Sequence, residues 1–126
     1  MDKILVEKNG EEQLPIPNIW RPIIKDIVKS FVNRDYKISS GLNNVNFVSD
    51  ETAEQIREYI DDYGEELVDL PDETWNSSVY IYYGDYWEAI IDLFTKNEGL
   101  SDLILNLEIR EQNNNYVIDI ISVYVS

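Results

Sequence analysis

The C-terminal half of the chain contains several runs in which apolar and polar residues alternate, and this pattern constrains the fold most strongly. Residues 102–111 read DLILNLEIRE, with Leu103, Leu105, Leu107 and Ile109 at every second position. Successive side chains of a β-strand point to opposite faces, so this run predicts a strand with one buried face.

Neighbouring runs extend this sheet. Residues 77–83 (SSVYIYY) are rich in β-branched and aromatic residues, and a turn around Gly84 and Asp85 leads into residues 86–95 (YWEAIIDLFT). A turn of asparagines then leads into the last run, residues 115–126. Because short turns join antiparallel neighbours, the sequence predicts a mainly antiparallel sheet of four or more strands.

Two helices are predicted ahead of this sheet. Residues 19–33, with Asn18 as the N-cap, carry apolar side chains in two adjacent rows four residues apart, and residues 51–63 repeat the helical spacing up to a glycine. Residues 1–15 are expected to form a flexible arm or a short strand. The predicted fold is a single α+β domain, residues 1–126, with two N-terminal helices packed on one face of the sheet.

The charge of the chain is strongly asymmetric. The net charge is −15, to which residues 1–49 contribute +1 and residues 50–126 contribute −16. The densest acidic stretch is residues 58–73, EYIDDYGEELVDLPDE, in which half of the residues are Asp or Glu and none is basic. Such a field opposes binding to phosphate backbones and anionic lipids and favours a cationic partner. Acidity that serves only solubility is an equally good explanation of the composition alone.

The residue types that are missing exclude much chemistry. The chain has no histidine and no cysteine, which removes the commonest general base, thiolate nucleophiles and disulfides. It contains neither a glycine-rich phosphate-binding motif nor a calcium-loop pattern. No apolar run approaches the ~20 residues that span a bilayer, and the N-terminus lacks the features of a signal peptide. We therefore expect a cytoplasmic, non-enzymatic protein without cofactor or metal that binds neither nucleic acid nor membrane.

The acidic stretch and the following hairpin together form the predicted partner-binding site. If Val79, Ile81 and Tyr83 face the core, then Tyr80 and Tyr82 stand on the outer face. Tyrosines beside carboxylates offer ring faces and ion pairs to arginine and lysine. The predicted contact residues are Asp61, Asp62, Glu65, Glu66, Asp69, Asp72, Glu73, Tyr80, Tyr82, Asp85 and Tyr86.

Several short motifs resemble a group of small bacterial immunity proteins. They are the WRPII motif that begins at Trp20, residues 58–71 (EYIDDYGEELVDLP), the WNSSVY motif that begins at Trp75 and residues 86–105 (YWEAIIDLFTKNEGLSDLIL). Proteins of this group occur beside toxin genes, including those of contact-dependent growth inhibition systems. The resemblance implies a cytoplasmic inhibitor that binds a cognate toxin domain and blocks its site. The acidity favours a basic toxin, such as a nuclease, whose active site must hold phosphates.

Three other functions stay open on the sequence alone. A DNA mimic would need carboxylates spaced like duplex phosphates, about one charge per 1.7 Å of axis. A small carboxylate-metal enzyme could gather a divalent cation with Asp62, Glu65, Glu66 and Asp69. A housekeeping domain would use its acidity for solubility only. The oligomeric state is also open, because strand edges could pair between copies.

Overall fold

The computed structural model describes residues 6–126 of the chain. Of the N-terminal arm predicted at residues 1–15, residues 1–5 lie outside this range. The elements, in chain order, are β1 (Leu14–Pro15), α1 (Arg21–Val32), α2 (Asp50–Tyr63), a 3₁₀ helix (Asp72–Asn76), β2 (Val79–Tyr82), β3 (Trp87–Thr95), β4 (Gly99–Gln112) and β5 (Asn115–Val125). Within the described residues, no helix has the length and apolar character needed to cross a membrane.

The strands form one antiparallel sheet in the order β1-β2-β3-β4-β5. The prediction of an α+β fold with an antiparallel sheet is therefore confirmed. The predicted placement of both helices ahead of the sheet is not confirmed, because β1 precedes them and pairs Leu14 with Tyr80 and Pro15 with Val79. Two residues are too few to show alternation, and a proline is confined to an edge strand because it cannot donate to the ladder.

The sheet has one covered face and one open face. Alternate residues of β3 and β4, such as Ile91 and Leu105, are fully buried and belong to the same hydrophobic cluster as the inner residues of α1 and α2. Because side chains alternate between the two faces, the residues between them point away from the helices. We call this outer side the open face. Its residues are Val79, Ile81, Glu88, Ile90, Asp92, Ile104, Asn106, Glu108, Arg110, Val117, Asp119, Ser122 and Tyr124.

The two helices differ in how they begin. The α1 helix starts two residues later than predicted, because Asn18 does not cap it but closes a turn in which the Arg21 N–H donates to the Asn18 carbonyl over 3.3 Å. In α2 the Ser49 hydroxyl accepts a hydrogen bond from the Thr52 N–H at 3.2 Å. Gly64, with a φ of 83°, ends this helix in the left-handed conformation that glycine adopts without strain.

The outer edge of β5 is protected by two contacts. The Ile118 N–H donates to the Asn44 carbonyl at 2.7 Å, and the Asn46 N–H donates to the Ile118 carbonyl at 3.0 Å. Further along, the Gln55 side chain donates to the Val123 carbonyl at 2.6 Å and accepts from the Val123 N–H at 3.4 Å. A side-chain amide thus takes the place of a neighbouring strand, which makes pairing with another chain at these residues less favourable.

Trp20 is the aromatic centre of the core. It is fully buried, and its ring contacts the rings of Tyr80, Trp87 and Tyr116 edge-on, at centroid distances of 5.7, 5.4 and 6.4 Å. These partners come from β2, β3 and β5, so one side chain just ahead of α1 joins three strands of the sheet to the helical layer.

We expect Trp20→Ala to lower the free energy of unfolding by about 3–5 kcal/mol, because it leaves a large cavity among three aromatic rings. Chemical denaturation followed by circular dichroism measures this loss. The matched control is Ile19→Ala, since Ile19 is adjacent in sequence but 47% exposed. A similar shift of the unfolding midpoint in both variants would contradict the role assigned to Trp20.

Candidate protein-binding surface

Three carboxylates lie side by side across the open face. In the strand register Glu88 of β3 is directly opposite Glu108 of β4, and Glu108 is directly opposite Asp119 of β5. Directly opposed residues of an antiparallel pair hold their Cβ atoms about 5 Å apart, so like charges there destabilise the sheet. We call these three residues the acid row. A placement that opposes folding in this way points to a use outside the fold.

Arg110 offsets part of this repulsion. Its guanidinium group lies 3.1 Å from the Glu108 carboxylate and 3.5 Å from that of Asp119. It also sits over the ring of Tyr86, with 5.1 Å between the guanidinium carbon and the ring centroid. One arginine of this chain is therefore held on the open face by two carboxylates and an aromatic ring.

Glu88 has no basic partner among residues 6–126. Its carboxylate accepts hydrogen bonds from the Asn106 amide at 3.1 Å and from the Tyr83 hydroxyl at 3.5 Å. The other amide atom of Asn106, Oδ1, is buried and has no hydrogen-bond partner in the described part of the chain. An amide with one unpaired hydrogen-bonding atom lowers stability, and Asn106 is also directly opposite the apolar residue Ile90. We therefore interpret Asn106 as a residue that holds the Glu88 carboxylate in position.

Tyrosines surround the acid row. Tyr83 is 53% exposed and stacks on Tyr86, with 5.5 Å between ring centroids. Partial burial, followed by the Glu108 and Glu88 carboxylates, raises the pKa of Tyr86 above its ordinary value. The pKa of Tyr124 is raised by burial and then by Glu88 and Asp92. The raised pKa values reflect the position of both tyrosine hydroxyls in the negative field of the open face.

Much of the predicted acidic site is used inside the molecule. Arg34 and Arg57 contact Asp61 at 3.4 and 3.0 Å, and Lys29 contacts Asp69 at 3.1 Å. Lys25 pairs with Asp72, and this ion pair holds the pKa of Asp72 below its ordinary value. Lys25, Lys29 and Arg34 follow one another in the sequence, and their partners Asp72, Asp69 and Asp61 follow in the reverse order. These ion pairs hold the acidic stretch antiparallel to α1, against its basic side.

The other predicted carboxylates lie at the surface without a basic partner in residues 6–126. Glu66 and Glu73 are exposed, and Glu65 accepts a hydrogen bond from the Asn97 side chain at 3.2 Å. Asp62 lines a depression of about 330 Å³ together with Tyr59, Tyr63 and Val125. We call Asp62, Glu65 and Glu66 the acidic end, because they lie where α2 ends and beside the β3–β4 turn.

The orientation predicted for the hairpin tyrosines is wrong. Tyr80 lies opposite Ala89 and Tyr82 lies opposite Trp87, and both of these β3 residues face the helices. Tyr80 is therefore only 4% exposed, and Tyr82 packs against Trp87 with 5.4 Å between ring centroids. Both alternating sets of this run are apolar, so periodicity alone could not decide which set is buried.

The predicted site residues do not form one patch. Asp85 and Tyr86 precede the first residue of β3, whereas the acidic end lies beside the turn that follows its last residue. Nine residues of β-strand separate these ends by roughly 25–30 Å. The acid row was missed by the sequence prediction, although Glu88, Glu108 and Asp119 occupy the polar positions of their alternating runs.

Among residues 6–126 no group of three or more carboxylates is placed to hold a metal ion. The set considered for a divalent cation is separated in the fold, because Asp69 pairs with Lys29 while Asp62 lines the depression at the end of α2. The described structure therefore offers nothing in favour of a carboxylate-metal centre.

The fold and this surface define an acidic α+β protein with one sheet face that no helix of residues 6–126 covers. The chain belongs to the family described as a domain of unknown function, DUF7668, whose model matches residues 28–126. The matched part includes β2 to β5 and the whole acidic stretch. Searches of the curated proteins and of the solved structures gave no match. The surface chemistry must therefore carry the functional argument.

We expect Arg110→Gln to lower the free energy of unfolding by about 0.5–1 kcal/mol at low salt, because it leaves the acid row without its cation. Adding Glu108→Gln to this variant should restore most of the loss, since the central negative charge is then gone. Urea titration of both variants, and of Glu108→Gln alone, forms a double-mutant cycle. Strictly additive effects would contradict the coupling between Arg110 and the acid row.

Proposed function

We propose that this protein is a cytoplasmic immunity protein that binds and neutralises a basic toxin domain, with a nuclease as the expected toxin. Inhibition would occur by covering the substrate-binding surface of the toxin and would need no chemistry from the inhibitor. The sequence resemblance to immunity proteins of contact-dependent growth inhibition and related systems supports this choice of partner.

The main observation behind the proposal is that most basic residues between residues 6 and 126 are paired, whereas most carboxylates in this range are not. Seven of the nine basic residues in 6–126 form ion pairs with carboxylates of the same chain; they are Lys8, Lys25, Lys29, Arg34, Lys37, Arg57 and Arg110. Sixteen of the 24 carboxylates in the same range have no such pair. The part of the surface formed by residues 6–126 therefore presents negative charge, with Arg21 and Lys96 as its cations outside ion pairs, which suits a basic protein and repels nucleic acid.

A nuclease provides the matching surface. It must hold phosphates with arginine and lysine, so its substrate site is a concentrated positive field. An acidic protein is steered to such a site, and the complex excludes the nucleic acid that would otherwise occupy it. Barnase–barstar and the colicin nucleases with their immunity proteins are general precedents for very tight complexes of this kind.

Solubility alone explains the acid row poorly. Negative charge improves solubility wherever it lies on the surface, including loops where it does not oppose folding. The acid row instead puts like charges opposite each other on adjacent strands, at the centre of a half-apolar sheet face. A binding role accounts for this position because a partner can supply the missing positive charge.

We expect the protein to associate with the product of the gene immediately upstream and to suppress its toxicity on co-expression. The association rate should fall steeply between about 0.05 and 0.5 M salt, because long-range attraction is screened while short-range packing is not. Stopped-flow or surface-based kinetics measure this dependence, together with an assay of the toxin's activity on RNA or DNA.

Lysozyme, an unrelated basic protein, serves as the comparison. Binding to lysozyme should be weak and lost at moderate salt, whereas the cognate complex should persist. If the upstream product does not bind, or binds no better than lysozyme and stays toxic, the immunity function is refuted. A salt-independent association rate would refute the electrostatic basis of the complex.

A further inference from the structure

We infer that the open face is the docking surface for this partner and that it recognises arginine side chains between Glu88 and the Tyr83–Tyr86 pair. The inference rests on the proposed function, since it names the part of the molecule that meets the basic protein. It departs from the sequence prediction, which placed the contact on the acidic stretch and the following hairpin; of those predicted residues the inferred site keeps Tyr86.

The molecule already holds one arginine in this way. Arg110 lies over the Tyr86 ring and contacts Glu108 and Asp119, so a ring face and two carboxylates of the open face fit a guanidinium group. Glu88 stands next to Glu108 in the register and carries the same charge without a basic partner in 6–126. The adjoining position therefore offers a carboxylate and the exposed ring of Tyr83, which are components of the same kind, to a cation from outside the chain.

The surroundings of Glu88 favour arginine over lysine. The stacked rings of Tyr83 and Tyr86 offer a flat surface. Apolar surface comes from Ile81, which is opposite Glu88 on β2, and from Ile90, which is two residues further along β3. A planar guanidinium group can stack on such surfaces while two of its N–H groups reach one carboxylate. An ammonium group keeps its hydration and gains less from apolar neighbours.

The other surfaces are less suitable for a partner. In the acidic stretch Asp61, Asp69 and Asp72 pair with lysines and arginines of the same chain, so a partner that used these three carboxylates would have to break those pairs. The β5 edge is occupied by the Asn44–Asn46 segment and by the Gln55 amide. At Glu88 the open face needs no such rearrangement, because this carboxylate is held by neutral donors, and its charge complements a basic protein directly.

The probe for this inference is a capped tri-arginine peptide, titrated into ¹⁵N-labelled protein and followed by NMR. We expect the largest amide shifts at Tyr83, Tyr86, Glu88 and Glu108, and weaker binding of a tri-lysine peptide. Glu88→Gln should weaken tri-arginine binding about fivefold, because it removes the charge and keeps the side-chain shape. The matched control, Glu66→Gln, removes a charge at the acidic end and should leave the affinity almost unchanged.

Two results would overturn the inference. One is a set of shifts centred on Asp62, Glu65 and Glu66; the other is an equal response to both peptides spread over the whole surface. Either would leave the immunity function standing if the upstream product is still bound and neutralised. Conversely, arginine binding at Glu88 without any toxin binding would refute the proposed function and keep the site.

Discussion

Cross-strand pairing among β3, β4 and β5 is the constraint on which the rest of the structure depends. The same register that opposes Ala89 to Leu107, and Leu107 to Ile120, on the helical side also opposes Glu88, Glu108 and Asp119 on the outer side. A shift by one residue would exchange the two faces and expose the core. Burial of the apolar set therefore fixes the acid row in place, and the sheet tolerates its repulsion because the covered face is strongly stabilising.

The sequence predicted the elements well because their signals are local. Alternation identified the strands, and Gly64 marked the end of α2. The register between β4 and β5 could also be counted from the turn, since Asn113 and Asn114 with positive φ form a two-residue hairpin that sets Glu108 opposite Asp119. The pairing of Glu108 with Asp119 could therefore be predicted from the sequence.

The remaining features depend on contacts that no local pattern records. The register between β3 and β4 shifts between Asp92 and Phe94, so counting back from their turn would misplace Glu88 relative to Glu108. The burial of Tyr80 depends on its contact with Trp20, more than fifty residues away in the chain. The ion pairs of the acidic stretch with Lys25, Lys29 and Arg34 likewise require the two helices to be in place.

The carboxylates of this molecule fall into two kinds, those paired with a cation of the same chain and those without one in residues 6–126. At Asp61, Asp69 and Asp72 each carboxylate has a cation of its own chain within reach, and removing it would leave a lysine or arginine unpaired on the helical layer. At Glu88 the supporting groups are neutral donors, Asn106 and Tyr83, which hold the carboxylate in position without cancelling its charge. Neutral donors orient a carboxylate and leave its negative charge uncompensated, whereas a paired cation compensates that charge. The composition counts both kinds equally, but a carboxylate of the second kind is the one that can attract an external cation, and within the acid row that carboxylate is Glu88.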